Sequence, residues 1–341
     1  MQDIKQFTLQ ELKGIFKEWG QPAFRATQVF SWLYHKGVSD FDLMSDLPAE
    51  VREKLKKAFS IRNLGVVKKL VSEDGTEKFL FALPDKNLIE GVVIPAEDRV
   101  TGCISSQAGC RFACRFCASG LLGFKRNLTC AEMMEEVLYL KNESGPKRLT
   151  HLVFMGTGEP LDNYDNVMKA IRLINSPEGL HIGARRITIS TCGIIPGIKR
   201  LEREALQIEL SVSLHAADDK TRQRLMPVAK IYPLAELMRA CREYVLKTNR
   251  QITFEYILIA GFNADVQSAQ KLSSMLRGLN SKINLIPANP VKELGIVPPN
   301  KLEFLLFRDA LQKAGIHVTL RKPRGQDIQA ACGQLRLLHA R

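Results

Sequence analysis

From Leu88 onward, short apolar runs of strand character alternate with stretches of helical periodicity, and few folds accept that rhythm. Strands are predicted at 88–94, 100–105, 149–155, 186–190, 208–214, 252–259, 283–286 and 317–321. Helices are predicted between most of them, at 131–141 behind the capping box Thr129-x-x-Glu132, and at 166–174, 234–247, 266–279 and 301–314. Strand–helix repetition of this kind specifies a parallel sheet with helices outside it. A doubly wound open sheet and a barrel both satisfy the pattern. In either, function belongs at the C-terminal ends of the strands. Gly156-Thr-Gly158-Glu159-Pro160, Ser190-Thr191-Cys192, Ser213 with His215, and Asn289-Pro290 all stand at such ends. Singly each is ordinary turn chemistry; jointly they fall on one rim.

The first eighty-odd residues read differently. Thr8-Leu-Gln-Glu11 is a capping box that opens a helix, and Gly20 ends it. A second helix is predicted over 24–34 and a third from Pro48 to about Phe59, with Arg52, Lys54, Lys56 and Lys57 making a basic face. Runs at 66–71 and 78–83 flank Asp74-Gly75, a hairpin signal. Three segments are expected: 1–85 as a helical accessory domain with a hairpin and an RNA contact, 86–322 as the core, and 323–341 as a C-terminal segment.

The loop after the predicted strand 100–105 carries Cys110-Arg-Phe-Ala-Cys114-Arg-Phe-Cys117, framed by Gly109, Gly120 and Gly123. Thiolates bind soft metals, and Arg111 and Arg115 are expected to favour the thiolate form. Three ligands are too few for a closed zinc site. A [4Fe–4S] cluster usually takes four thiolates, so three leave one iron open for a small molecule. Three buried structural cysteines are the alternative, but cysteine is sparse outside this loop.

Composition narrows the partners. The formal net charge is +13, with a pI near 9.4, which points to a polyanion such as nucleic acid. No apolar run reaches the roughly 18 residues of a membrane span, and Met1-Gln-Asp-Ile-Lys5 lacks the pattern of a secretory signal. Thiols that must stay reduced suit the cytoplasm.

The cysteine triad resembles the signature of radical S-adenosylmethionine (SAM) enzymes, and Gly158-Glu159 resembles their GGE element. Cys103-Ile-Ser-Ser-Gln-Ala-Gly-Cys110, Gly158-Glu159-Pro160-Leu161, Ile187-Thr-Ile-Ser190-Thr, Ser211-Val-Ser213-Leu214-His215, Leu285-Ile286-Pro287-x-Asn289-Pro290 and Arg324-Gly325-Gln-Asp327-Ile328-Gln-Ala-Ala-Cys332-Gly333-Gln334-Leu335 resemble the RlmN/Cfr family of radical-SAM RNA methyltransferases. The resemblance covers essentially the whole chain. One departure is Thr157, where that family usually has Met.

What the resemblance implies is specific. The fold would be α/β, a partial (β/α)6 barrel with a small helical N-terminal accessory domain. Cys110, Cys114 and Cys117 would ligate a [4Fe–4S] cluster, and Gly158, Glu159, Ser190, Ser213, Leu214, His215 and Asn289 would hold SAM. An electron donor such as flavodoxin or ferredoxin would feed the cluster, and reductive cleavage of SAM would yield a 5′-deoxyadenosyl radical. A monomer is expected. RlmN members methylate C2 of adenosine 2503 in 23S rRNA and adenosine 37 of some tRNAs. Cfr members methylate C8 of the same rRNA adenosine and confer antibiotic resistance. Adenine C2 is electron-poor and does not attack a sulfonium methyl, whereas a thiolate does. Cys332 would take a methyl from one SAM, a second SAM would activate it, Glu90 would accept the proton, and Cys103 would resolve the protein–RNA adduct by a disulfide. Cys130, Cys192 and Cys241 have no part in this scheme. A non-catalytic RNA-binding protein with a structural metal is the reading of another class. The conjunction of Cys103, Cys332, Glu90 and Gly158-Glu159 argues against it.

The charge makes one prediction. Affinity for RNA should fall steeply with salt, with a log–log slope of roughly −0.7 to −0.9 per phosphate contact. A salt titration that leaves affinity unchanged would exclude a phosphate-dominated interface.

Overall fold

The computed structural model describes residues 1–120, 123–145, 148–288, 297–321, 324, 325, 327 and 328. Helices α1 (Leu9–Glu18), α2 (Phe24–Phe30) and α3 (Ala49–Ala58) form the N-terminal module. Both capping-box bonds of α1 are made: the Thr8 hydroxyl accepts from Glu11 N–H, and the Glu11 carboxylate accepts from Thr8 N–H. Leu12 and Phe16, one turn apart, are fully buried with Ala26, Val29 and Leu55. The predicted second helix divides, with α2 passing into a π-helical turn at Ser31–His35. The basic face of α3 is partly neutralised, since Lys54 pairs with Glu50 and Lys56 with both Asp42 and Glu53.

The sheet has ten strands: β1 (Gly65–Val71), β2 (Glu77–Ala82), β3 (Leu88–Pro95), β4 (Val100–Cys103), β5 (His151–Phe154), β6 (Ile187–Thr191), β7 (Glu209–Ser213), β8 (Ile252–Leu258), β9 (Ser281–Pro287) and β10 (His317–Leu320). Spatial order follows chain order throughout. β1 to β4 pair antiparallel, and β4 to β10 pair parallel. Helices α4 (Cys130–Glu143), α5 (Tyr164–Asn175), α6 (Ile195–Leu201), α7 (Asp219–Leu225), α8 (Leu234–Thr248), α9 (Val266–Leu276) and α10 (Lys301–Lys313) fill the six crossovers. Short α6 and α7 are absent from the sequence-based expectation. Ile195-Pro196-Gly197 opens α6 with two helix breakers, and α7 is almost wholly polar.

Unidirectional order decides between the two candidate architectures. A doubly wound sheet reverses its order at a switch point; this one never does. Right-handed crossovers that all step the same way put every helix on one face. That face is apolar: Leu152, Phe154, Ile187, Ile189, Leu210, Val212, Ile252, Phe254, Ile283 and Leu285 are essentially inaccessible. The alternate positions point away from the helices and carry Thr188, Ser190, Ser211, Ser213, Thr253, Glu255, Asn284 and Thr319. Purely parallel strands are ordinarily apolar on both faces, so this alternation marks a face that lines a functional space.

The sheet is strongly curved. Arg321 N–H bonds Leu285 O on β9, and four residues later Gly325 N–H bonds the Asp74 carboxylate in the turn between β1 and β2. Seven strand spacings separate β9 from β2, about 34 Å if flat. Four residues reach only about 14 Å. The two edges therefore curl toward each other, as in the partial barrel that the resemblance implies. The hairpin of β1 and β2 belongs to this sheet, hydrogen-bonded to β3 across the boundary at residue 85. Among the described residues no helix is long and apolar enough to cross a membrane.

The N-terminal module is locked to α4. Lys5 is 1% exposed, and its ammonium lies 2.8 Å from Glu135, 3.5 Å from Asp3 and 2.8 Å from Arg62 O. Gln6 caps the first turn of α4 by accepting from Ala131 N–H. Lys5→Met strands two carboxylates in a shared site, so it should cost about 3 kcal/mol in denaturant unfolding. An unchanged midpoint would show that the contact does not join the two parts.

Candidate active site

The polar face supplies the first group. Cross-strand register sets Lys78, Val92 and Cys103 side by side, with Glu90 two positions from Val92 and on the same face. Glu90 is 3% exposed on a strand flanked by β2 and β4, which excludes a solvent-facing edge position. Lys78 is completely buried, with its Nζ 3.4 Å from Glu90 Oε1. Ser105 ties this strand to the loop after β5: its Oγ donates to Glu90 O and accepts from Thr157 N–H. Ser105 N–H donates in turn to the carboxylate of Glu136, a buried acid whose pKa burial pushes well up. Sequence reasoning did not single out Lys78 or Glu136. An acid at an otherwise apolar position of α4 was the signal for the second.

The cysteine loop leaves β4 and is closed by a short ladder of Gln107–Ala108 on Arg126–Asn127. Gly109 has φ +83°, and a Cβ there would sit 1.8 Å from Gly123 O, so no other residue fits. The loop packs on the sheet rim: Arg115 N–H bonds Leu225 O, and the Phe116 ring meets the His215 ring edge-on at 4.5 Å. Cys110, Cys114 and Cys117 are half-buried free thiols. Burial pushes Cys110 up to about 12 and Cys114 well above the ordinary thiol range. The expected assistance from Arg111 and Arg115 is thereby corrected. The Arg111 guanidinium is 3.0 Å from Asp162 and stacks on Phe124, and Arg115 points to solvent. The cation that favours the Cys114 thiolate is Arg222, entirely buried on α7.

The loop 156–160 is the second group. Gly158 has φ +107°, and a Cβ there would lie 2.5 Å from Gln107 Cβ. Gln107 receives the loop, accepting from Glu159 N–H at Oε1 while its own N–H bonds Thr157 O. Buried Glu159 accepts from Leu161 N–H and, at 2.6 Å, from Cys192 N–H, and so joins the rims of β5 and β6. Burial raises its pKa against those hydrogen bonds. Thr157 is 1% exposed, and its Oγ1 has no hydrogen-bond partner among the described residues.

The third group lies at the ends of β6 and β7. Ser190 and Ser213 are half-buried on the polar face, and Leu214 is fully buried. His215 has φ +58°, and its Nδ1 accepts from Ile257 N–H at 3.0 Å, which leaves the proton on Nε2. Arg222 clamps this rim, donating to the carbonyls of Leu214, Cys192, Ser213 and Tyr232. Deeper on the same face, Glu255 accepts from Asn284, whose Oδ1 accepts from Thr319. Asn289 and Cys332 lie outside the described residues. The nearest described part of the C-terminal motif docks on the hairpin turn: Asp327 accepts from Ser72 Oγ and Glu73 N–H.

The donor set fits an iron–sulfur cluster better than a single ion. Among the described residues no three His, Cys, Asp or Glu side chains converge on one metal position, yet Cys117 acts electrostatically on Cys110, and both act on Cys114, so the three thiols are neighbours. Iron would convert them to thiolates. The glycine cradle at Gly158 and the orphaned Thr157 hydroxyl lie in one loop, 156–160, beside them.

His215 generates a pH prediction. Burial, with Arg222 second, lowers its pKa to about 3, below the 6.5 of an exposed histidine. Between those values the unfolded chain binds the proton and the folded one does not, so stability present above pH 6.5 is lost as pH falls toward 3. In chemical denaturation, His215→Asn should lose less stability than wild type over that window. An identical slope would show that His215 is not the group responsible.

Comparison with known proteins agrees with this geometry. The family model described as Radical SAM superfamily matches residues 104–271, and that described as Ribosomal RNA large subunit methyltransferase N-terminal domain matches residues 2–61. The chain is 47% identical to a probable dual-specificity RNA methyltransferase RlmN of Caldanaerobacter subterraneus subsp. tengcongensis, over 98% of both chains. It is also 47% identical to the probable RlmN of Clostridium acetobutylicum, over 98% of this chain and 97% of that one. The crystal structure of a radical SAM methyltransferase from Sphaerobacter thermophilus superposes with a TM-score of 0.94 at 41% identity, covering 98% of this chain and 99% of that one. A chain with this sheet, this cysteine loop and these full-length relatives belongs to the RlmN family of radical-SAM RNA methyltransferases.

Proposed function

We propose that this enzyme methylates C2 of adenosine 2503 in 23S rRNA and of adenosine 37 in some tRNAs, through a methyl carrier on Cys332. The observation that carries the reading is the placement of Glu90 and Cys103 on one face of neighbouring strands, two positions apart in register. The relatives' dual-specificity description supports two RNA substrates. The family's [4Fe–4S] cluster and SAM, two per turnover, supply the methyl group, the electron and the radical chemistry. Cys110, Cys114 and Cys117 hold the cluster. Gly158 lets backbone approach the SAM amino group, Glu159 accepts from it, and Ser190, Ser213, Leu214, His215 and Asn289 hold the rest. His215 contributes a neutral ring with Nε2–H as a donor. Cys332 would carry the methyl carbon as S-methylcysteine; that carbon would lose one hydrogen atom to the radical chemistry SAM supplies and bond to C2. Glu90 would take the proton from C2 as the adduct gives one electron back to the oxidised cluster. The Cys103 thiolate would then attack the Cys332 sulfur, the sulfur–carbon bond would break with its electron pair going to the carbon, which takes a proton to become the product methyl, and a disulfide would close. A flavodoxin or ferredoxin supplies electrons to a monomeric enzyme in the cytoplasm.

Two cysteine variants test the order of events. Cys103→Ala should still methylate Cys332 and bond to RNA, then stall as a covalent adduct that survives denaturing electrophoresis and vanishes with nuclease. Cys332→Ala should give neither protein methylation nor adduct. Normal turnover by Cys103→Ala would remove it as the resolving thiol, and an adduct in Cys332→Ala would move the methyl carrier elsewhere. Mass spectrometry of wild-type product should find 2-methyladenosine; 8-methyladenosine would reassign the enzyme to Cfr-type chemistry.

A further inference from the structure

We propose that Lys78 is a positioning residue for RNA methylation, holding the Glu90 carboxylate aimed within the polar face it shares with Cys103. The inference rests on Glu90 being the proton acceptor.

Three observations carry it. Lys78 is completely buried, unlike the exposed lysines of a phosphate-binding surface. Its Nζ lies 3.4 Å from Glu90 Oε1, and register puts Lys78, Glu90 and Cys103 on the same face of three consecutive strands. The packing role of its strand is filled from the other face, where Phe79 and Phe81 stack and both meet Tyr139 edge-on. A buried ion pair is a poor stabiliser, because apolar side chains of like volume do as well or better. An ammonium beside the carboxylate gives it a fixed donor, and so an orientation within the polar face. At 3.4 Å the contact is longer than a tight charge-assisted bond of roughly 2.7–2.9 Å. It guides the carboxylate without clamping it.

The test compares Lys78→Met, Lys78→Arg, Glu90→Gln and the Lys78→Met/Glu90→Gln double variant as cluster-loaded full-length enzymes. The expected result for Lys78→Met is Cys332 methylation at the wild-type level by peptide mass spectrometry, an unchanged Kd for an rRNA hairpin, and at least tenfold slower single-turnover methylation of adenosine. Lys78→Arg should recover part of that loss. The double variant should be no slower than Glu90→Gln alone. Equal loss of cysteine and RNA methylation in both Lys78 variants would make the residue merely structural and overturn the proposal. So would full RNA methylation by Lys78→Met while Glu90→Gln is inactive. Should Lys78→Met fail to fold, Lys78→Arg and the double variant decide. A double variant slower than Glu90→Gln sinks the pairing. Full activity of Glu90→Gln would instead overturn Glu90 as the acceptor, and the role of Lys78 with it.

Discussion

Everything in the molecule depends on a strand order that never turns back. Six crossovers stepping one way stack their helices on a single side of the sheet. Among the described residues no helix covers the other side, which curls in on itself. Side chains there must be satisfied by one another or by a ligand. Asn284 donates to Glu255 and accepts from Thr319, which shows the first solution at the depth of the sheet. Higher up, Ser190 and Ser213 are only half-buried, and the rim opens onto the cysteine loop. Polar residues at alternate positions of parallel strands are thus the cost of a binding face.

A single guanidinium coordinates the rim. Arg222 is wholly buried, and the bonds described for it run to four carbonyls at the ends of β6 and β7 and beyond α7. These bonds spread its charge over backbone dipoles. The charge then acts at short range on its neighbours. It disfavours protonation of His215 and favours the thiolate of Cys114. The same side chain therefore fixes the loops and brings a positive charge to the rim. Because Cys192 N–H is bonded to Glu159 and Cys192 O to Arg222, the loop after β6 is held from both sides.

Much of this was legible in the chain, for identifiable reasons. Thr8 and Thr129 announce α1 and α4, because a capping box is a local device made within four residues. The site positions at strand ends were legible because the strands themselves were. Arg222 was not: in Asp-Lys-Thr-Arg-Gln-Arg-Leu it reads as one charge on a solvated face, and only tertiary carbonyls bury it. Lys78 was hidden likewise, as a polar residue flanking a hairpin turn. The membership of β1 and β2 in the main sheet was written in Pro84-Asp85-Lys86-Asn87, a second tight turn between apolar runs. It closes with Leu83 N–H to Asn87 O and Lys86 N–H to Leu83 O. Arg111 shows the opposite failure. Adjacency in sequence promised help to the thiols, but the side chain reaches Asp162.

The hairpin gains its meaning from the other end of the chain. Gly325 N–H and Arg324 reach Asp74, and Asp327 reaches Ser72 and Glu73, so residues some 250 positions apart share one turn. Burial alone would raise the Asp74 pKa, but hydrogen bonds from Thr76, Gly325 and Ser72 outweigh it and hold the carboxyl at about 2. The contact therefore stays charged at any physiological pH. It ties β10, at one edge of the sheet, to the turn of β1 and β2 at the other. The C-terminal segment leaves that turn with four residues between Asp327 and Cys332, so that five Cα-to-Cα steps give a reach of at most about 18 Å. From the same turn, β2 carries Lys78 toward Glu90. An element that looks peripheral in the sequence thus closes the open side of the barrel, forms one wall of the site and limits how far the C-terminal cysteine can stray.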